Sequence, residues 1–150
     1  MRRPVEGTIA RGRLEENDGI YRGRYGDGYV EKIPVPITEV MLKRGQERYG
    51  IYCVPCHDKT GGGQGIVVKH GYPQATNLNE AYSLHMADGQ VYSAIAYGVR
   101  NMPSYGTQIP VEDRWAIVAY VRALQFSQHA TVDDVPVERR SSLAQEVGTP

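Results

Sequence analysis

Both cysteines of the 150-residue chain lie in Cys53-Val54-Pro55-Cys56-His57, three residues apart and followed directly by an imidazole. No other feature restricts the fold as strongly. C-x-x-C-H is the spacing of c-type haem attachment. Where the backbone is helical, residues three and four apart share a face, so Cys53 and Cys56 can reach the two vinyl groups along one porphyrin edge. His57, one step on, is placed to put a ring nitrogen on the iron. Thioether bonds let a small domain hold a haem that it does not fully enclose. Other uses of the thiols fit worse. A thioredoxin-like pair follows a strand at a helix N-terminus, whereas this motif closes a helical stretch with no strands around it. A structural zinc site needs further Cys or His at finger spacing, and His70 stands isolated.

The second axial position falls to a methionine. Met1 lies in the irregular start and Met41 in a helical stripe, which leaves Met86 and Met102. Met102 belongs to Arg100-Asn101-Met102-Pro103-Ser104-Tyr105-Gly106, a loop between helices in which Pro103 keeps the chain extended. From there its sulfur can swing to the opposite haem face, with Met86 as the alternative. His70, His85 and His129 read as surface histidines. Arg100 and Asn101 can reach a propionate.

The surrounding pattern is helical. Ile37, Val40, Met41, Gly45, Tyr49 and Tyr52 recur at three- and four-residue steps, with Thr38 as cap and Glu39 in the first turn. Gly45 in mid-helix costs about 1 kcal/mol relative to Ala, which a close helix–helix approach explains. Asp58 to Gly65 reads as a flexible glycine-rich loop, and residues 79–86 as a short helix. Asp88 to Gly98 forms a better helix, capped by Asp88 and stopped by Gly98. The strongest helix follows Pro110, with Glu112 and Asp113 in its first turn and Trp115, Val118, Val121 and Leu124 as its buried stripe. No strand pair stands out. The expected organisation is an irregular arm over 1–36, an all-α core over 37–126 and a loose polar tail over 127–150. Composition alone would allow residues 1–36 to be a disordered tail, but Ile9, Leu14, Ile20, Tyr21, Tyr25, Tyr29 and Val30 are spaced as anchors, which favours an extended, partner-binding arm lying on a neighbour.

Seventeen basic residues balance seventeen acidic ones, so charge gives no case for nucleic acid or an anionic membrane surface. Eleven tyrosines stand against one Phe and one Trp, which suits a site part apolar and part wet. The longest apolar run, residues 115–121, is far short of the roughly 20 needed to span a bilayer. No apolar stretch follows Met1-Arg2-Arg3 to make a secretory signal. The chain is thus either cytosolic or a mature or trimmed form.

From residue 37 to about 126 the sequence resembles a class I cytochrome c. The matching features are Gly45-x-x-x-Tyr49, C-x-x-C-H, a glycine-rich loop, the Asn101-Met102-Pro103 segment and the closing helix with its W-x-x-V-x-Y-V-R-x-L pattern. The resemblance implies that the first and last helices cross at right angles, with Gly45 and Tyr49 against Trp115, Val118 and Ala119. It also implies one haem c on Cys53 and Cys56, with His57 and Met102 as axial ligands, and electron transfer rather than enzyme catalysis. The family usually has a proline whose carbonyl receives the proximal histidine's N–H. Here Ala75 stands nearest that place and Pro73 lies two residues early, which leaves the carbonyl for His57 open. Haem is attached to such motifs outside the cytoplasmic membrane, so the resemblance implies export.

The flanks, residues 2–12, 34–58 and 63–74, are similar to the mono-haem cytochrome subunit of bacterial alternative complex III. That likeness implies a peripheral place on the outer, periplasmic face of the cytoplasmic membrane. The implied partners are membrane-complex subunits that include a multihaem cytochrome, and a downstream oxidase or soluble acceptor. The lipid-bearing cysteine of such subunits is absent, which reads as trimming. A free or tethered periplasmic carrier is the alternative, and a haem enzyme or sensor with an open iron position is a third.

Overall fold

The computed structural model describes residue 8, residues 15–140 and residue 142. Ile9 and Leu14, two anchors of the expected arm, fall outside these residues. The described chain opens on α1 (Asp18–Tyr21), where the Asn17 side chain accepts from the Ile20 amide. A two-residue antiparallel pair follows, β1 (Arg24–Tyr25) and β2 (Gly28–Tyr29), joined through Gly26-Asp27. This hairpin departs from the irregular reading of the region. Its signal was a glycine-led two-residue turn between tyrosines, hidden among many other glycines.

The helical core begins at α2 (Glu39–Tyr52), whose N-terminus is capped by Thr38 accepting from the Met41 amide at 3.2 Å. Then come three one-turn helices, α3 (Val54–His57), α4 (Ile66–Lys69) and α5 (Ala81–Leu84), followed by α6 (Asp88–Tyr97) and α7 (Val111–His129). A 3₁₀ turn covers Val132–Asp134. These helices, with little strand, make up a class I cytochrome c fold. Helix α7 runs past residue 126, the expected end of the core.

The principal contact is between α2 and α7. Gly45 is buried against the Ala116 carbonyl and the Tyr120 Cβ, so a methyl group at position 45 would overlap the α7 backbone. One turn on, the Tyr49 ring packs against Tyr120 with centroids 5.3 Å apart. The residues nearest Gly45 are thus Ala116 and Tyr120, while Tyr49 shares the hydrophobic core with the expected Trp115 and Val118. Residues 113–119 of α7 are all buried, so this helix is central and has two faces to satisfy. Trp115 serves the second face, stacked on Tyr92 at 4.4 Å. Beside the crossing, Arg44 makes a two-pronged bond to Asp113, Nε to Oδ1 at 2.8 Å and Nη2 to Oδ2 at 3.0 Å. Arg48 adds an ion pair at 3.2 Å. Ile37 and Val40, expected in the buried stripe, are exposed because they precede the crossing.

Described residues of the expected arm lie on their own domain. The Trp115 indole donates to the Ile20 carbonyl at 2.7 Å, and the Tyr92 hydroxyl to the Tyr21 carbonyl at 2.8 Å. The amides of Asp88 and Gly89 donate to the Glu31 and Val30 carbonyls. Asp88, expected as the cap of α6, is instead its first residue and makes no cap. Its carboxylate accepts from the Ile33 amide at 2.9 Å and from Arg122 Nε at 2.6 Å. A tertiary ion pair has displaced the local capping bond.

Gly45→Ala should destabilise the protein by about 1–3 kcal/mol through overpacking, despite roughly 1 kcal/mol of improved helix propensity. Urea unfolding measures this, and a midpoint at or above the wild type would contradict the close crossing.

Candidate functional site

Helix α2 delivers the two thiols. The Cys53 amide still bonds to the Tyr49 carbonyl, and the Cys53 carbonyl accepts from the amides of Cys56 at 3.1 Å and His57 at 2.8 Å. The C-x-x-C-H segment is therefore one helical turn, as its spacing predicts. It opens onto a cavity of about 420 Å³ that takes in Cys53, Cys56, His57, Met86 and Met102. Leu78, Val91, Ala94, Val99 and Val121 give it apolar walls. Tyr29, Tyr52, Tyr72, Tyr82 and Tyr105 also line it, which accounts for much of the unusual tyrosine content.

Neither cysteine is in a disulfide. Burial, reinforced by Cys56, pushes the Cys53 thiol up to about 12. That is opposite to the lowered value of a thiol–disulfide redox pair.

His57 Nδ1 lies 3.0 Å from the Thr76 carbonyl. A carbonyl only accepts, so Nδ1 carries the proton and the Nε2 lone pair is free for a metal. Burial lowers the His57 pKa, which favours the neutral ring, and the Thr76 bond and the nearby Asp58 charge offset this only in part. The orienting carbonyl left open by the sequence is thus Thr76, directly after Ala75. No proline is needed at that place, because Leu78 is pinned on both sides. Its amide donates to the Gly61 carbonyl at 2.7 Å and its carbonyl accepts from Gln125 Nε2 at 2.6 Å.

The glycine-rich loop, expected to be flexible, is tied by hydrogen bonds to one side chain. Asp58 Oδ1 accepts from Thr60 N, Thr60 Oγ1 and Gly62 N, and Oδ2 accepts from Gln64 N. Burial alone would raise this carboxyl, but the bonds from Thr60, Gln64 and Gly62 outweigh it and bring it down to about 2. Sequence reasoning passed over Asp58. The available signal was an Asp placed to accept from backbone amides two residues on and beyond.

Met102 sits on a tight turn in which Val99 and Met102 exchange both backbone bonds, at 2.9 and 3.0 Å. The following segment is tied down by Ser104 Oγ to the Ala96 carbonyl and by Arg114, which donates to Ile109, Tyr92 and Gly106. Tyr72 donates to the Asn101 carbonyl at 3.2 Å and joins this turn to the chain beyond α4. Met86 also reaches the cavity, on a segment whose carbonyl accepts from Arg122. Arg100 and Asn101 line it too, whereas His70, His85 and His129 do not.

The donor set fits a covalently held haem: two unpaired thiols, an imidazole with its outer nitrogen free, and thioethers, between apolar walls. Among the described residues no cluster of three His, Cys, Asp or Glu side chains would hold a bare metal ion.

Residues 40–121 match the family model described as cytochrome c oxidase, cbb3-type, subunit III. No curated protein sequence matches the chain. Among solved structures it is similar to a chain of the Kuenenia stuttgartiensis reducing HAO-like protein complex, at 20% identity over 71% of this chain and 54% of that one, with a TM-score of 0.51. The present chain spans about half the length of that structure, and at such identity the likeness concerns the fold alone.

In the haem-loaded protein, the His57 Nδ1 proton should give a nitrogen-bound NMR resonance that exchanges slowly with solvent. Fast exchange at neutral pH would contradict the Thr76 hydrogen bond.

Proposed function

Because the chain belongs to the cytochrome c family described as cytochrome c oxidase, cbb3-type, subunit III, and is accordingly an electron-transfer protein with haem c, we propose that it serves a membrane quinol-oxidising complex. Its place would be that of a peripheral subunit of the alternative complex III kind. Cys53 and Cys56 would hold one haem through thioethers, and His57 and Met102 would ligate its iron. So bound, haem c would supply a one-electron centre. The chain's residues hold and tune it. Thr76 fixes the tautomer and orientation of His57, the turn at Val99–Met102 presents the thioether, and the apolar walls limit access of water.

The observation that carries the assignment is the meeting of both thiols, the free His57 nitrogen and the Met102 sulfur-bearing side chain on one apolar cavity. Met102 is favoured over Met86 because it also packs against the hydrophobic core on a turn closed by two backbone bonds. The subunit role rests on the likeness of the flanking segments to the alternative complex III cytochrome. Its neighbours would be a multihaem donor and an oxidase or soluble acceptor, at the periplasmic face of the membrane. Among the described residues no helix is long and apolar enough to cross a membrane. Attachment would then come from partner subunits or from a lipid anchor outside this sequence.

One observation favours a free carrier instead. The carbonyls of Ile20 and Tyr21 are engaged by Trp115 and Tyr92 of the same domain, so this part of the arm is committed to its own chain. Gentle solubilisation of native membranes, followed by size separation and haem staining, distinguishes the two. Comigration with a large quinol-oxidising assembly is expected; release near the mass of the chain would establish the carrier.

Met102→Ala should lower the reduction potential and allow the reduced protein to bind carbon monoxide, whereas Met86→Ala should change neither. An unchanged spectrum and equal carbon monoxide binding in wild type and Met102→Ala would sink the assignment of Met102.

A further inference from the structure

We infer that Asp58 is a positioning residue for His57: it shapes the loop on which the Thr76 carbonyl rests, and so sets how strongly the imidazole donates to the iron. This role presupposes His57 as an iron ligand, as proposed above.

The connection can be followed atom by atom. Asp58 leaves α3 with φ +60, and its own carbonyl is held by the Tyr49 hydroxyl at 3.0 Å. Its carboxylate then turns back over the loop and gathers Thr60 at 2.7 Å, Gly62 at 3.2 Å and Gln64 at 3.0 Å. The loop so shaped supports residues 75–79 from below. The Gly61 carbonyl accepts from the Leu78 amide at 2.7 Å, and the Thr60 carbonyl from Asn79 Nδ2 at 2.9 Å. Gly63 lies so close to the Ala75 carbonyl that a Cβ at 63, where φ is +81, would overlap it. Its amide returns to the His57 carbonyl at 3.0 Å. Thr76 is therefore carried by a loop in which the Asp58 carboxylate gathers three residues, beside the backbone bonds from Gly63 and Gly65. Thr76 itself lines the cavity, and no proline stiffens its peptide.

A hydrogen bond from Nδ1–H to a carbonyl makes the imidazole a stronger donor and favours the oxidised, more positive iron. Loosening the loop should therefore raise the reduction potential. Removing the Asp58 charge would raise it too, without any change in hydrogen bonding, so the variants must separate the two effects. Asp58→Asn loses the charge but keeps an oxygen for the Thr60 and Gly62 donors. Asp58→Ala loses both. Asn79→Ala changes no charge and cuts only the grip of residue 79 on Thr60.

The test uses the full haem-loaded chain, with the reduction potential and the solvent exchange of the His57 Nδ1 proton as readouts. Asp58→Ala should raise the potential more than Asp58→Asn and speed the exchange about tenfold, the scale expected for one hydrogen bond. Asn79→Ala should move both readouts in the same direction by less. Equal potentials for Asp58→Ala and Asp58→Asn, with wild-type values for Asn79→Ala, would reduce Asp58 to a charge and overturn the role. So would lowered unfolding stability with potential and exchange unchanged. If Asp58→Ala does not take up haem, Asn79→Ala decides: wild-type values overturn the role, and shifts in both readouts support it. A wild-type protein whose iron lacks a histidine ligand would instead refute the assignment of His57 itself.

Discussion

Everything in this domain is referred to the point where α2 and α7 touch backbone to backbone. Gly45 removes the side chain that would hold the helices apart, and Tyr49 and Tyr120 close the gap one turn away. Because α2 continues directly into the C-x-x-C-H turn, this contact also fixes where the thiols and His57 stand relative to the central helix. The Arg44 and Arg48 pairs with Asp113 lie beside it. Removing one partner of such a part-buried cluster leaves the others unsatisfied and costs more than the pair contributes when intact.

Helix α7 then works as a hub. On one side it receives α2, and on the other it presents Trp115 to Tyr92 and to the chain at Ile20. Farther along, Arg122 reaches Asp88, Met86 and Gln125, and Gln125 holds the Leu78 carbonyl. The segments that wall the cavity are therefore not independent loops. They are hung on one helix by hydrogen bonds from buried or half-buried side chains, which are the strongest kind available where water is scarce.

Much of this was legible in the sequence. The thiol and imidazole spacing, the Thr38 cap, the Gly98 stop and the helix after Pro110 are local signals, and local signals can be read from neighbouring residues. What escaped was set by tertiary partners. Asp88 looked like a cap because its neighbours favour one, but Arg122 and the Ile33 amide claim its carboxylate. The loop after His57 looked loose because glycines dominate it, yet Asp58 accepts from Thr60, Gly62 and Gln64 within it. The choice of Thr76 over Ala75 as acceptor depends on how Gly61 and Gln125 pin Leu78. No periodicity encodes that. The family-based expectation for the crossing did not name Ala116 and Tyr120, the residues nearest Gly45, because close backbone contact depends on how two distant helices meet.

The long spans of these contacts bear on how the chain assembles. Arg44 meets Asp113 across 69 residues, and Trp115 meets Ile20 across 95. Such closures form late, since the entropy of joining distant segments must be met before their contacts return anything. Until α7 docks, α2 has no partner for Gly45 and Tyr49, and the cavity has no Val121 or Gln125 wall. A chain in which α7 has not docked therefore presents Cys53 and Cys56 without those walls, and the thiols are more accessible there than in the folded domain, where both are half-buried.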